Sequence, residues 1–183
     1  MVALKFELMS DDDELFGNPD QVALMRRAGR LWTLLGDDPR YSFYGRMVSL
    51  SDPRDDAVER LGALATLQGA ASCQYYPADR ADRFCDDLNS VGFNAHRYEQ
   101  CWGGADAIAA ARRLLDEHAL PADLAVVTVD AATPADLVAD MAGLSISCGV
   151  MPVPGRTMRG LDRPGICLVA TDPAGKAAAT ASA

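Results

Sequence analysis

Polar and apolar positions along this chain fall into blocks whose spacing marks helices and strands in turn. Leu24, Met25, Ala28, Leu31, Trp32 and Leu35 recur at helical intervals, so they line one stripe of a helix and predict a core-facing side. Asn18-Pro19 supplies an N-cap and a first-turn proline for it, and Gly36 ends it. A second helix opens after Ser51-Asp52-Pro53, carries Val58, Leu61, Leu64 and Leu67 on one face, and has Gly69 where a left-handed cap is expected. Between them, Arg40 to Leu50 is aromatic and partly alternating, which fits a strand or an ordered loop. Before them, residues 2–8 alternate as a short strand and Asp11 to Glu14 read as a solvated loop.

Further along, Cys73 to Tyr76 reads as a strand, Pro77 to Ser90 as a helix burying Phe84 and Leu88, and Phe93 to Glu99, after Gly92, as a second strand. That order predicts a βαβ unit. Ala105 to Ala119 is strongly helical, Pro121 breaks it, and the apolar run Leu124 to Val129 predicts a buried strand. Thr133-Pro134 opens a helix with Leu137, Val138, Met141 and Leu144, which stops before Gly149 and the rigid Pro152 to Gly155 stretch. Ile166 to Ala170 and Ala177 to Ser182 flank Asp172-Pro173-Ala174-Gly175, a hairpin signal. The sum is an α/β (α+β) protein with a mixed β-sheet flanked by about six helices. With no internal repeat and no Gly/Ser linker, a boundary is placed near Ala119 to Asp123, dividing an accessory region 1–120 from a second unit 121–183. The alanine-rich tail leaves an open, uncharged strand edge, which implies either a covering subunit or a chain cut inside a larger domain.

The 183 residues suffice for a substantial core without staples, and 49% apolar with 23% charged residues exclude wholesale disorder. A net charge of −9, from 26 acidic and 17 basic residues, disfavours nucleic acid and anionic lipid as partners. Met1 to Leu8 lacks the layout of a signal peptide, and no apolar run approaches a bilayer span, so a cytoplasmic protein without a membrane segment is expected. The odd cysteine count (Cys73, Cys85, Cys101, Cys148, Cys167) and the lack of a C-x-x-C pair point to reduced, structural thiols. His96 and His118 stand alone, so no metal centre is expected.

From Leu124 onwards the order strand, Thr-Pro-capped helix, Pro/Gly loop, strand, Asp-Pro-Ala-Gly turn, strand resembles the opening of a GNAT-type (GCN5-related) N-acetyltransferase domain. "CGVMPVPGRTMRG" looks like the linkers of two-part GNAT-like proteins, and the resemblance covers about a third of the chain. It implies acetyl-CoA as substrate and places Arg156 and Arg159 in the loop bordering the acyl acceptor. In that family a Gln/Arg-x-x-Gly-x-Gly/Ala turn cradles the pyrophosphate with backbone N–H groups. No such turn follows the hairpin, so the resemblance implies a domain that is truncated and inactive alone. Gln100 to Ala105 satisfies the same pattern in another register, making Gln100, Gly103, Gly104 and Ala105 cofactor-binding candidates, although a plain Gly-Gly turn explains the pattern as well. "FCDDLNSVGFNAHRYE" is similar to a helix-Gly-Phe-strand ending of the family and nominates Tyr98 as the acid for the leaving thiolate.

Two functions follow. One is the N-terminal portion of a GNAT-like N-acyltransferase, moving an acyl group from acyl-CoA to a small-molecule amine or a protein. The other is a non-catalytic ligand- or protein-binding module that forms a homodimer, or docks, through its C-terminal edge strand.

Overall fold

The computed structural model describes residues 14–99 and 103–182. Among them are six α-helices and two three-stranded sheets, an α+β arrangement in which the expected single mixed sheet is divided in two.

Helix α1, Pro19–Leu35, starts as its sequence dictates. The Asn18 side chain accepts from the Gln21 amide, and the Gln21 side chain accepts from the Asn18 amide, a reciprocal capping box. A hairpin of β1, Tyr41–Phe43, and β2, Val48–Leu50, follows. Helix α2, Ala57–Gln68, crosses to β3, Ser72–Cys73, which runs parallel to β2. Gly69 ends α2 at φ +104, the left-handed conformation its position foretold. A 3-10 turn, Ala78–Arg80, leads into α3, Ala81–Ser90. Val48, Leu50, Leu61, Leu64, Phe84 and Leu88 bury one core among these elements, with Trp32 packed against it and 5.9 Å from the Phe43 ring.

The second sheet is antiparallel throughout, in the order β4, Ala125–Thr128, β5, Cys167–Thr171, and β6, Ala177–Ser182. Between β4 and β5 lie α5, Ala135–Ser147, and the short α6, Gly155–Met158. Val138, Met141, Ala142, Met158 and Val169 bury a separate core here. The Asp-Pro-Ala-Gly turn closes as expected, with Asp172 exchanging backbone hydrogen bonds with Lys176 and Gly175. Helix α4, Ala105–Glu117, precedes this unit and is exposed along its whole length.

Three expectations are corrected. Residues 93–99 form no strand, so the βαβ unit is β2-α2-β3, one helix earlier than predicted. Phe93 folds back onto Gly62 of α2, the Asn89 side chain takes the Ala95 amide, and Arg97 pairs with Asp82 and Glu99, interactions that hold the segment against its own helix rather than in a sheet. Strand β4 is exposed rather than buried: Val126 and Val127 are 49% and 39% accessible, and only Val129 beyond it enters the core. Glu14, placed by sequence in a solvated loop, is half-buried against Arg159. The expected strand over residues 2–8 lies outside the described residues.

Candidate functional site

The turn after β3 carries the one non-glycine residue of positive φ among the described positions. Tyr75 takes φ +60, a left-handed conformation that costs a bulky side chain on the order of 1–3 kcal/mol and that folds retain mainly where a site needs it. Two open cavities meet at this residue. One, about 860 Å³, lies over Cys73, Tyr76, Phe84 and the segment from Asn94 to Glu99. The other, about 940 Å³, lies between the β1-β2 turn and the loop after α6. Both share Ser72, Tyr75 and Tyr98.

The first cavity is floored by Tyr76 stacked on Phe84 with centroids 4.1 Å apart, and the Arg80 guanidinium stands 5.8 Å above the Tyr76 ring. Burial pushes the Cys73 thiol up to about 11, so at neutral pH it is a packing group and not a nucleophile. Burial raises the Cys167 thiol as well, partly offset by a hydrogen bond with Thr180. The second cavity joins the two units. Its wall holds Tyr44, whose ring is 3.9 Å from the Arg163 guanidinium, while Arg163 donates to the Phe43 carbonyl and Arg46 donates to the Met151 carbonyl.

Tyr98 is thereby placed at the junction of both cavities, 58% accessible. Gly104 is the N-cap of α4, with no side-chain cap and nothing within 4 Å of where a Cβ would stand. The backbone at Gly104 is thus open to a ligand, whereas Gly103 lies close to Ala107; among the described residues no strand precedes them, and β4 after them pairs antiparallel with β5. Gln100 lies outside the described residues. Arg156 sits in α6, half-buried. Arg159 grips the Glu14 carboxylate through two hydrogen bonds of 2.8 Å each and donates to the carbonyls of Asp130 and Thr133. Its guanidinium therefore pins residue 14 to the second unit. The ion pair holds the Glu14 carboxyl below its ordinary range, chiefly through that hydrogen bond.

Sequence reasoning missed Arg46, Arg163 and Tyr75, and no spacing marks them, since the cavity forms only when distant loops meet. Among the described residues no cluster of His, Cys, Asp and Glu is fit to hold a metal ion, and no helix is long and apolar enough to cross a membrane. Compared with family models, curated proteins and solved structures, the chain matches none.

Proposed function

We propose that the unit from β4 to β6 is the opening part of a GNAT-like N-acyltransferase fold, and that the protein is the cytoplasmic, N-terminal portion of an enzyme that moves an acyl group from acyl-CoA to an amine. The carrying observation is the order β4, α5, α6, β5, β6 with antiparallel pairing throughout, which is the arrangement that the family resemblance implies. In this reading Arg156 borders the acceptor, Tyr98 is the proton donor candidate, and acetyl-CoA is a substrate rather than a resident group. The antiparallel pairing of β4 favours this register over one in which Gly103 to Ala105 serves as the pyrophosphate turn between parallel strands.

Calorimetric titration of acetyl-CoA into the 183-residue chain, beside a version extended past Ala183 along its reading frame, tests the proposal. Binding by the extended chain alone is expected. Binding by the shorter chain that is lost in Gly104→Val, a change with open space around it, would support the same activity with the cofactor on α4. Binding by neither overturns the proposal.

A second reading rests on β6, which pairs with β5 on one side and, among the described residues, has its other edge unpaired. A non-catalytic module that dimerises by edge addition would show a concentration-dependent mass, abolished by Ala179→Lys.

A further inference from the structure

Helix α5 leaves part of the core face of the second sheet uncovered. The register that sets Cys167 opposite Ser182 and Val169 opposite Thr180 puts Thr180 and Ser182 of β6 on the face that Cys167 and Val169 bury. Cys167 and Val169 are buried, yet both β6 residues are exposed. A cleft of about 440 Å³ fills the gap, between the C-terminal half of α5, the loop after it and β6. Met141, Met158 and Cys167, all buried, form its floor, and Leu144, Val150 and Met151 its sides. Arg46 stands in the same wall, the one charged residue there among the described residues, and donates from Nη1 to the Met151 carbonyl at 3.0 Å. That bond holds a guanidinium beside an apolar trough.

We propose that this cleft binds an unbranched, medium-chain carboxylic acid, its alkyl chain lying along β6 over Met141 and Met158 and its carboxylate meeting Arg46. Covering the trough with methylene groups removes apolar surface from water on both sides, which drives association. Methionine side chains, unbranched and polarisable, adapt to a flexible alkyl chain better than a rigid wall would. A guanidinium carries five N–H donors in a planar fork, and with one of them on Met151 it still presents a pair to a carboxylate. The volume of about 440 Å³ lies within the range of small-molecule sites. The inference stands apart from the acyltransferase reading, because the ligand is a free acid and neither acyl-CoA nor Tyr98, Arg156 or α4 enters it.

The test titrates hexanoate, octanoate and decanoate, with octanamide as the neutral counterpart, into the full chain carrying isotope-labelled methionine methyls, and follows them by NMR. The Met141 and Met151 signals are expected to move, while those of Met25, fully buried on α1, and Met47, in the wall of the cavity that holds Tyr44, stay in place. Affinity is expected to rise about tenfold for every two methylenes added. Octanoate is expected to bind at least about tenfold more tightly than octanamide. Arg46→Gln keeps a donor for the Met151 carbonyl and is expected to erase that difference while leaving octanamide binding as it was. Arg54→Gln, at an exposed pair with Asp52 away from the cleft, is expected to change nothing. An unmoved Met25 signal and the thermal midpoint verify that the variants fold, and if Arg46→Gln fails this check it is replaced by Arg46→Lys, for which a weakened preference is expected. Shifts at Met47 without shifts at Met141, affinity that ignores chain length, equal binding of octanoate and octanamide, or no methyl shift with decanoate at millimolar concentration overturns the proposal.

Discussion

The carboxamide of Gln68 pairs with the peptide of Val48 as a neighbouring strand would. Its Oε1 accepts from the Val48 amide at 2.9 Å, its Nε2 donates to the Val48 carbonyl at 2.8 Å, and both residues are fully buried. The last residue of α2 thus completes hydrogen bonding at β2, and its own carbonyl is taken by the Arg27 side chain. Buried backbone groups need such partners. Gln68→Leu, similar in size, would leave an amide and a carbonyl of β2 unsatisfied and is expected to lower stability by about 2–4 kcal/mol. Guanidinium denaturation of wild type and variant measures it, and a change under about 1 kcal/mol would show that water replaces the lost groups.

Arg159 presents a different balance, because its charge is compensated by Glu14 and its remaining donors by two carbonyls. Arg159→Ala is expected to cost about 1–3 kcal/mol, the Glu14 side being only partly withdrawn from water. Arg159→Lys keeps the charge but not the planar fork and should recover less than half of the loss. Urea unfolding of the single variants and of their combinations with Glu14→Gln checks both, with a coupling energy between residues 14 and 159 expected in the double-mutant cycle.

Stability should fall with acid through Asp56 and Glu14. Asp56 lies 2.6 Å from Arg40 and 2.5 Å from Arg60. Hydrogen bonds, from Arg40 first and Arg60 second, hold its carboxyl well below the ordinary range, as Arg159 does less strongly for Glu14. A carboxyl with a depressed folded-state pKa contributes stability above its unfolded value, about 3.9 for Asp and 4.3 for Glu, and loses it as pH falls through the folded value. The urea midpoint is therefore expected to be flat from neutral pH to about 5 and to drop below about 4. In Asp56→Asn the acid limb should be shallower.

The thiols should differ in reactivity. Cys148 is exposed, Cys167 is buried, and burial pushes the pKa of the Cys73 thiol up to about 11. Alkylation by iodoacetamide at pH 8, read by peptide mass spectrometry, is expected to label Cys148 well before Cys73 and Cys167. Comparable rates at Cys73 and Cys148 would show that the β3 turn opens freely.

Much of the local structure is legible in sequence because it is decided within a few residues. Asn18-Pro19 with Gln21, Gly69 and Asp172 to Gly175 each act on their own turn of chain, and each gives the expected cap or hairpin. Segments decided by distant partners are not. The alternation in Phe93 to Glu99 satisfies a strand pattern, yet Asn89 and Asp82 of the preceding helix draw it aside before any strand can pair with it. The apolar run at β4 resembles a buried strand, but periodicity reports what a residue prefers and not whether another element covers it. The cleft with Arg46 and Arg163 joins residues more than a hundred positions apart, and only the fold puts them side by side.

Gly155 has one further consequence. A Cβ there would collide with the Glu14 side chain, and its amide donates to the Glu14 carbonyl, so residue 14 is moored in the second unit while α1, a few residues on, belongs to the first. The chain therefore passes between its two halves twice, once at residues 14–18 and once along the exposed stretch containing α4. Cleavage at Arg112 or Arg113 on that exposed helix would sever only the second crossing. The fragments would remain clasped, the leading strap of the first gripped by Arg159 of the second, and the nicked protein would travel as one particle.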